Sequence, residues 1–331
     1  MASLEVPLVF WIGFLAFVLV MLALDLGVFN RKAHTVSVKE AGIWTAVWVS
    51  LALIFNLGLY FFAGGQVALE FLTGYLIEYS LSVDNIFVFV LIFSAFNVPS
   101  QYQHRVLFWG ILGALVMRGI MIAAGAALIS NYEWIIYVFG AFLVFAGIRM
   151  FFSHEEDSVD IENNGLLKFV RRLFPVTDGY RGSKFTVVEG GKRMITPLLL
   201  VLVMIELTDL VFAVDSIPAI FAITQEPFIV FTSNIFAILG LRSLYFLLAG
   251  VIHKFVYLRY GLAFVLTFVG VKMLLLIWHI HVPILLSLGV IITALGVSII
   301  VSLMSPKAKE AEQKKIENLE SDIPEVPDSK H

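Results

Sequence analysis

Glu206, Asp209 and Asp215 stand in IELTDLVFAVDSIPAIF (205–221), a run that is otherwise apolar. Glu78 and Asp84 stand in a second such run, IEYSLSVDNIFVFVLI (77–92). Carboxylates grouped in apolar surroundings can hold cations or carry protons, because like-charged buried acids have raised pKa values and accept protons readily. Each ionised acid costs roughly 2.5–3.5 kcal/mol at the centre of a membrane helix, against about −0.3 to −0.6 for a Leu, Ile, Phe or Val. The three acids of the later run therefore cost about 9 kcal/mol, as much as fifteen or so good apolar residues return. Such a helix cannot face lipid all round; it sits among protein partners or lines a water-filled cavity.

The two runs are copies. An offset of 131 places Glu78 on Asp209, Asp84 on Asp215 and Asn85 on Ser216. Downstream, FAGIRM (145–150) matches FVGVKM (268–273), and the helices between carry one arginine each, Arg118 and Arg242. Glu206 and Asp209, three apart, share a helical face. Asp215 lies six beyond Asp209 and points elsewhere on a continuous helix. Pro218, which crowds the carbonyl of Val214, predicts a break near 214–216 that turns Asp215 back toward the other two.

Five acids and two arginines leave −5 + 2 = −3 if all ionise. A divalent cation and a proton would discharge that sum, so the pattern predicts exchange of one for the other. The candidate ligands are Glu78, Asp84, Asn85, Glu206, Asp209, Asp215 and Ser216, with Ser82, Arg118, Arg242, Pro218 and Asp25 in support and Thr208 nearby. All are oxygen donors or their neighbours, and the chain has no cysteine. Hard oxygen ligands suit Mn²⁺, Mg²⁺ or Ca²⁺ and suit zinc or copper poorly. No nucleophile–base set, phosphate loop or GxSxG is present, so an enzyme is not expected, nor any bound cofactor beyond the transported ion.

The elements that must position these residues are membrane helices. The chain has 331 residues, 60% of them hydrophobic and 14% charged, with mean hydropathy +0.94. The expected class is an all-α polytopic membrane protein of about nine transmembrane helices, near 6–29, 42–62, 68–95, 106–129, 133–152, 195–224, 228–250, 258–278 and 283–304. Val6–Phe29 is too long for a signal-peptide core and reads as a retained helix. Basic residues occupy alternate connections: Arg31, Lys32 and Lys39; Arg105; seven between 153 and 194; Lys254 and Arg259; and the tail. That alternation predicts an external N-terminus and a cytoplasmic C-terminus.

The predicted organisation is two N-terminal helices (1–62), a three-helix repeat (63–152), a cytoplasmic loop (153–194), a second repeat (195–280), a last helix (281–304) and a disordered tail (305–331). The loop opens on His154–Asp157 and continues with an amphipathic stretch, GLLKFVRRLF, expected to lie on the membrane surface. The orientation makes the two repeats inverted, an arrangement found in many secondary transporters. Expected partners are a divalent cation, protons and the bilayer. Nucleic acid is not expected at a net charge of −3. Copies of the chain or other membrane proteins remain open as further partners.

EYSLSVDN (78–85) and IELTDLVFAVDSIPAIFAIT (205–224) resemble the two signature segments of the TerC family of integral membrane proteins. SNIFAILGLRSLYFLLAG (233–250) and LTGYLIE (72–78) resemble its Alx branch. The resemblance implies manganese export across the cytoplasmic membrane, with links to tellurite resistance, alkaline pH and the metal loading of exported proteins. It also implies a role for Glu78, Asp84, Asn85, Glu206, Asp209, Asp215 and Ser216, all present here. A factor that delivers metal to exported proteins, rather than a transporter, is the alternative reading.

Overall fold

The computed structural model describes residues 6–24, 36–132, 134–152, 175–249, 255 and 257–305, and the backbone but not the side chain of Asp84. The helices are α1 (Leu8–Leu24), α2 (Val38–Ala63), α3 (Gly65–Ala95), α4 (Ser100–Asn131), α5 (Ile135–Phe152), α6 (Pro197–Phe221), α7 (Pro227–Leu239), α8 (Leu241–Leu248), α9 (Leu258–Leu275) and α10 (Ile284–Met304). A short antiparallel ribbon, β1 (Thr186–Glu189) and β2 (Lys192–Ile195), precedes α6.

Eight described stretches are long and apolar enough to cross a membrane, with α7 and α8 forming one span over Pro227–Leu248. The protein is thus a multi-pass membrane protein. In α1, 17 residues are described, short of the roughly 20 a crossing needs. The boundaries carry the expected signals. Ser37 caps α2 by accepting the N–H of Glu40 at 3.2 Å, Gly64 divides α2 from α3 at φ +95°, and Pro197 and Pro227 open α6 and α7.

Phe228–Leu239 of α7 are all buried, so α7 is the axis of the molecule. One side receives an aromatic layer from α1, with Trp11 against Phe228 at 5.1 Å and Phe14 against Phe236 at 5.6 Å. α3 packs on α7 and on α6, and α6 packs on α4. The most extensive pairing is α5 with α9. It depends on two glycines: a Cβ on Gly270 would lie 2.7 Å from the Gly140 carbonyl oxygen and the Val144 nitrogen. One on Gly147 would lie 2.7 Å from the Ala263 oxygen and 2.8 Å from the Thr267 nitrogen. Each glycine therefore abuts the backbone three and seven residues before the other. Without a hydrophobic drive between helices in lipid, such close backbone approach supplies the attraction.

One expectation needs correcting. α6 runs without a break from Pro197 to Phe221, through Pro218. Proline removes a single hydrogen bond, the one that would reach Val214, and a membrane helix near its end absorbs that loss with neighbours at hand. The break falls in the next span, at Gly240 between α7 and α8.

The loop before α6 has structure of its own. Its described part is a ribbon turned by Gly190 (φ +56°) and Gly191 (φ +75°), the left-handed pair that a two-residue hairpin demands. The Tyr180 hydroxyl donates to the Phe96 carbonyl at 2.7 Å and Arg105 donates to Ser183 Oγ at 3.0 Å. The Arg105 guanidinium also lies over the Phe185 ring at 5.3 Å. The segment that leads into the ribbon is thereby docked on the α3–α4 turn and the start of α4. Residues 154–157, the amphipathic stretch, Asp25 and the tail beyond 305 lie outside the described residues.

Candidate functional site

Seven-residue spacing returns a helix to nearly the same face. On α3 that face carries Glu78, Ser82 and Asn85; on α6 it carries Asp209, Ala213 and Ser216. All six are buried, none more than 3% exposed, and they correspond one to one at the offset of 131. α3 and α6 are packed together, so a polar stripe on each runs through the protein interior.

Arg118 of α4 joins the stripes. It is fully buried and spends its guanidinium on three partners. Nε and Nη2 form a fork on Asp209, to Oδ2 at 3.0 Å and Oδ1 at 2.8 Å. Nη1 donates to Glu78 Oε1 and to Asn234 Oδ1, the latter at 3.0 Å. Asn234 of α7 closes the ring by donating Nδ2 to Glu78 Oε2 at 3.1 Å. Four helices are tied at one point, with two carboxylates against one guanidinium. The bidentate geometry is the strong form of such a pair.

Beside this closed ring lie open groups. Ser82 Oγ, Asn85 Oδ1 and Ser216 Oγ are buried with no hydrogen-bond partner. Native interiors leave few polar atoms unpaired, and those that are mark positions for water, ions or chemistry. All three belong to the two signature runs. Their donor set is neutral oxygen, suited to a hard cation.

The remaining candidates lie outside the Arg118 ring. Asp215 is half-buried and, on the continuous α6, about 240° round from Asp209 rather than turned toward it. Arg242 is buried in the first turn of α8. The Thr208 hydroxyl is engaged by its own helix, donating to the Met204 carbonyl at 2.7 Å. Asp84 sits on α3 beside Asn85. Glu206 is half-buried against Gly113 of α4. His279 and His281 are exposed. Among the described residues, no three acidic or histidine side chains converge as a metal-binding group. Asn234 was not anticipated from sequence, although a lone amide within TSNIFAIL was the available signal.

Residues 63–310, which hold both stripes, Arg118 and Asn234, match the family model described as the integral membrane protein TerC family. The chain belongs to the TerC family. An uncharacterized membrane protein of Myxococcus xanthus, STKORF319, is 55% identical over 297 residues, covering 90% of this chain and 92% of that one. The TerC-family chain is also 48% identical over 301 residues to a protein of Escherichia coli K12 named putative membrane-bound redox modulator Alx, covering 88% and 93%. A protein of the same name from Photorhabdus laumondii is 45% identical over 322 residues, 94% and 99% of the two chains. No solved structure matches.

Proposed function

We propose that this TerC-family protein is a secondary transporter that exports a divalent cation, Mn²⁺ above all, across the bacterial inner membrane in exchange for protons. The observation that carries the reading is the trio of unpartnered buried oxygens, Ser82, Asn85 and Ser216, on the faces that also bear Glu78 and Asp209. In this reading the cation is held by those oxygens, Asp84 and Asp215 supply negative charge at the adjacent helical positions, and Arg118 offsets one of the two inner charges. The spare negative charge of the Glu78–Arg118–Asp209 ring is then available to a cation or to a proton, which makes their binding mutually exclusive.

The reciprocal packing of Gly147 and Gly270, each at the same place in FAGIRM and FVGVKM, is what two copies related by a two-fold axis would make. It supports an inverted repeat spanning 63–152 and 195–280, an architecture suited to alternating access. The basic connections support an external N-terminus. The relatives' name points to redox. These 331 residues contain no cysteine, so on this chain such a role would pass through the metal moved and not through thiols.

Purified protein in liposomes tests the proposal. Mn²⁺ flux that responds to an imposed pH gradient, and that is lost in Asp84→Asn and in Asp215→Asn, is the expected result. Absence of flux from well-folded wild type would leave the metal-delivery reading in its place. Flux indifferent to the gradient would remove the proton half of the proposal.

A further inference from the structure

Two acids on α6 stand one turn apart in different surroundings. Asp209 is buried with both oxygens held by Arg118. Glu206 is half-buried and makes no hydrogen bond or ion pair with the described residues. Its carboxylate rests in a notch of α4 formed by glycine: a Cβ on Gly113 would overlap all three carboxyl atoms, and one on Gly110 would approach Oε1 to 4.0 Å.

The position along the helix is informative. α4 and α6 both begin at the end where the segment that leads into the ribbon docks on the α3–α4 turn. Glu206 lies nine residues into α6, about 14 Å from its start, and Asp209 lies about 4.5 Å further in. Glu206 therefore stands between the ribbon end and the Arg118 ring. An acid at that depth without a protein partner needs water or a cation to be tolerated. It contributes no bond that the fold uses, and the glycine notch is room kept for it.

We propose that Glu206 is the access carboxylate of the pathway, standing between the ribbon end and the Arg118 ring, and that Gly113 is the residue that positions it. This rests on the reading of the stripes as a cation path. A cation arriving from the ribbon end meets Glu206 first and is passed one helical turn inward. The missing side chain at 113 gives the carboxylate its seat.

Because the chain has no cysteine, Glu206→Cys introduces a sole thiol. A charged, membrane-impermeant methanethiosulfonate applied to vesicles of either orientation should label that thiol from the ribbon face alone. No labelling, or labelling from the opposite face, overturns the assignment, and this arm needs no transport. In liposomes, Gly113→Ala should cut Mn²⁺ flux by about tenfold or more, as misplacement of a positioned group does. Gly119→Ala on the same helix, where a Cβ meets only the Phe231 ring at 3.4 Å, should leave flux unchanged. Adding Glu206→Asp to Gly113→Ala should restore flux, since the shorter side chain clears the new methyl. Full flux in Gly113→Ala, or no recovery in the double variant, overturns the positioning role. If wild type itself carries no Mn²⁺, the transport reading fails and the labelling arm still decides the side from which Glu206 is reached.

Discussion

Replacing Arg118 by glutamine removes the one positive charge in a ring that also holds Glu78 and Asp209. All three side chains are buried, none more than 4% exposed, so the two carboxylates are stranded without water. Breaking a buried ion pair by removing one partner costs about 3–5 kcal/mol. That is a shift of roughly 150- to 5,000-fold in the folded-to-unfolded ratio. The double variant Arg118→Gln/Asp209→Asn removes one charge of each sign and leaves the ring at the same net −1 as wild type. It should therefore recover about 2 kcal/mol or more of the loss, a coupling well outside the few tenths expected for independent sites. Asp209→Asn alone should fall between wild type and Arg118→Gln. Unfolding of purified protein in mixed detergent micelles measures all four. An Arg118→Gln protein within about 0.5 kcal/mol of wild type, or a double variant no more stable than the single, would refute the charge-balance argument.

Asn85→Ala and Ser216→Ala remove unpartnered buried oxygens, so stability should hold or rise slightly while Mn²⁺ flux falls; melting and flux on the same preparations separate the two. Gly270→Ala should disrupt the α5–α9 contact by several kcal/mol because its Cβ meets backbone, whereas Gly289→Ala, with nothing within 4 Å, should gain up to about 1 kcal/mol from helix propensity; thermal unfolding distinguishes them. Burial raises the Tyr180 pKa, and only its protonated form donates to the Phe96 carbonyl. Its folded pKa exceeds the unfolded one, so the contribution is complete below the ordinary tyrosine range and is lost as pH rises through the folded value. Protease nicking of the ribbon should then increase in strong alkali, and Tyr180→Phe should nick more readily at neutral pH with a flatter alkaline response.

Hydropathy made the spans legible, and the insertion cost of each acid made Glu78, Glu206 and Asp209 legible as interior residues. What could not be read is who meets whom. Arg118 finds partners 40 and 91 residues away, and only packing of α3, α4 and α6 decides that. Pro218 misled because the missing bond is local, while the continuity of α6 is set by neighbours along its whole length. Gly113 was silent for a related reason: a glycine's meaning lies in the atom opposite, here the Glu206 carboxylate. The ribbon went unread although TVVEGGKRMI carries its signal, a Gly-Gly pair after a Thr-Val-Val run.

The ring of Glu78, Arg118, Asp209 and Asn234 also sets an order for the protein's birth. Glu78 and Arg118 leave the ribosome 40 residues apart, so α3 and α4 can enter the membrane with that buried pair of charges already matched. Asp209 emerges 91 residues after Arg118, on a helix too acidic to rest alone in lipid. The early helices thus act as the berth for the later one. A chain ended after 152 should integrate by itself, whereas one begun at 195 should stall at the translocon until the first half is supplied in trans.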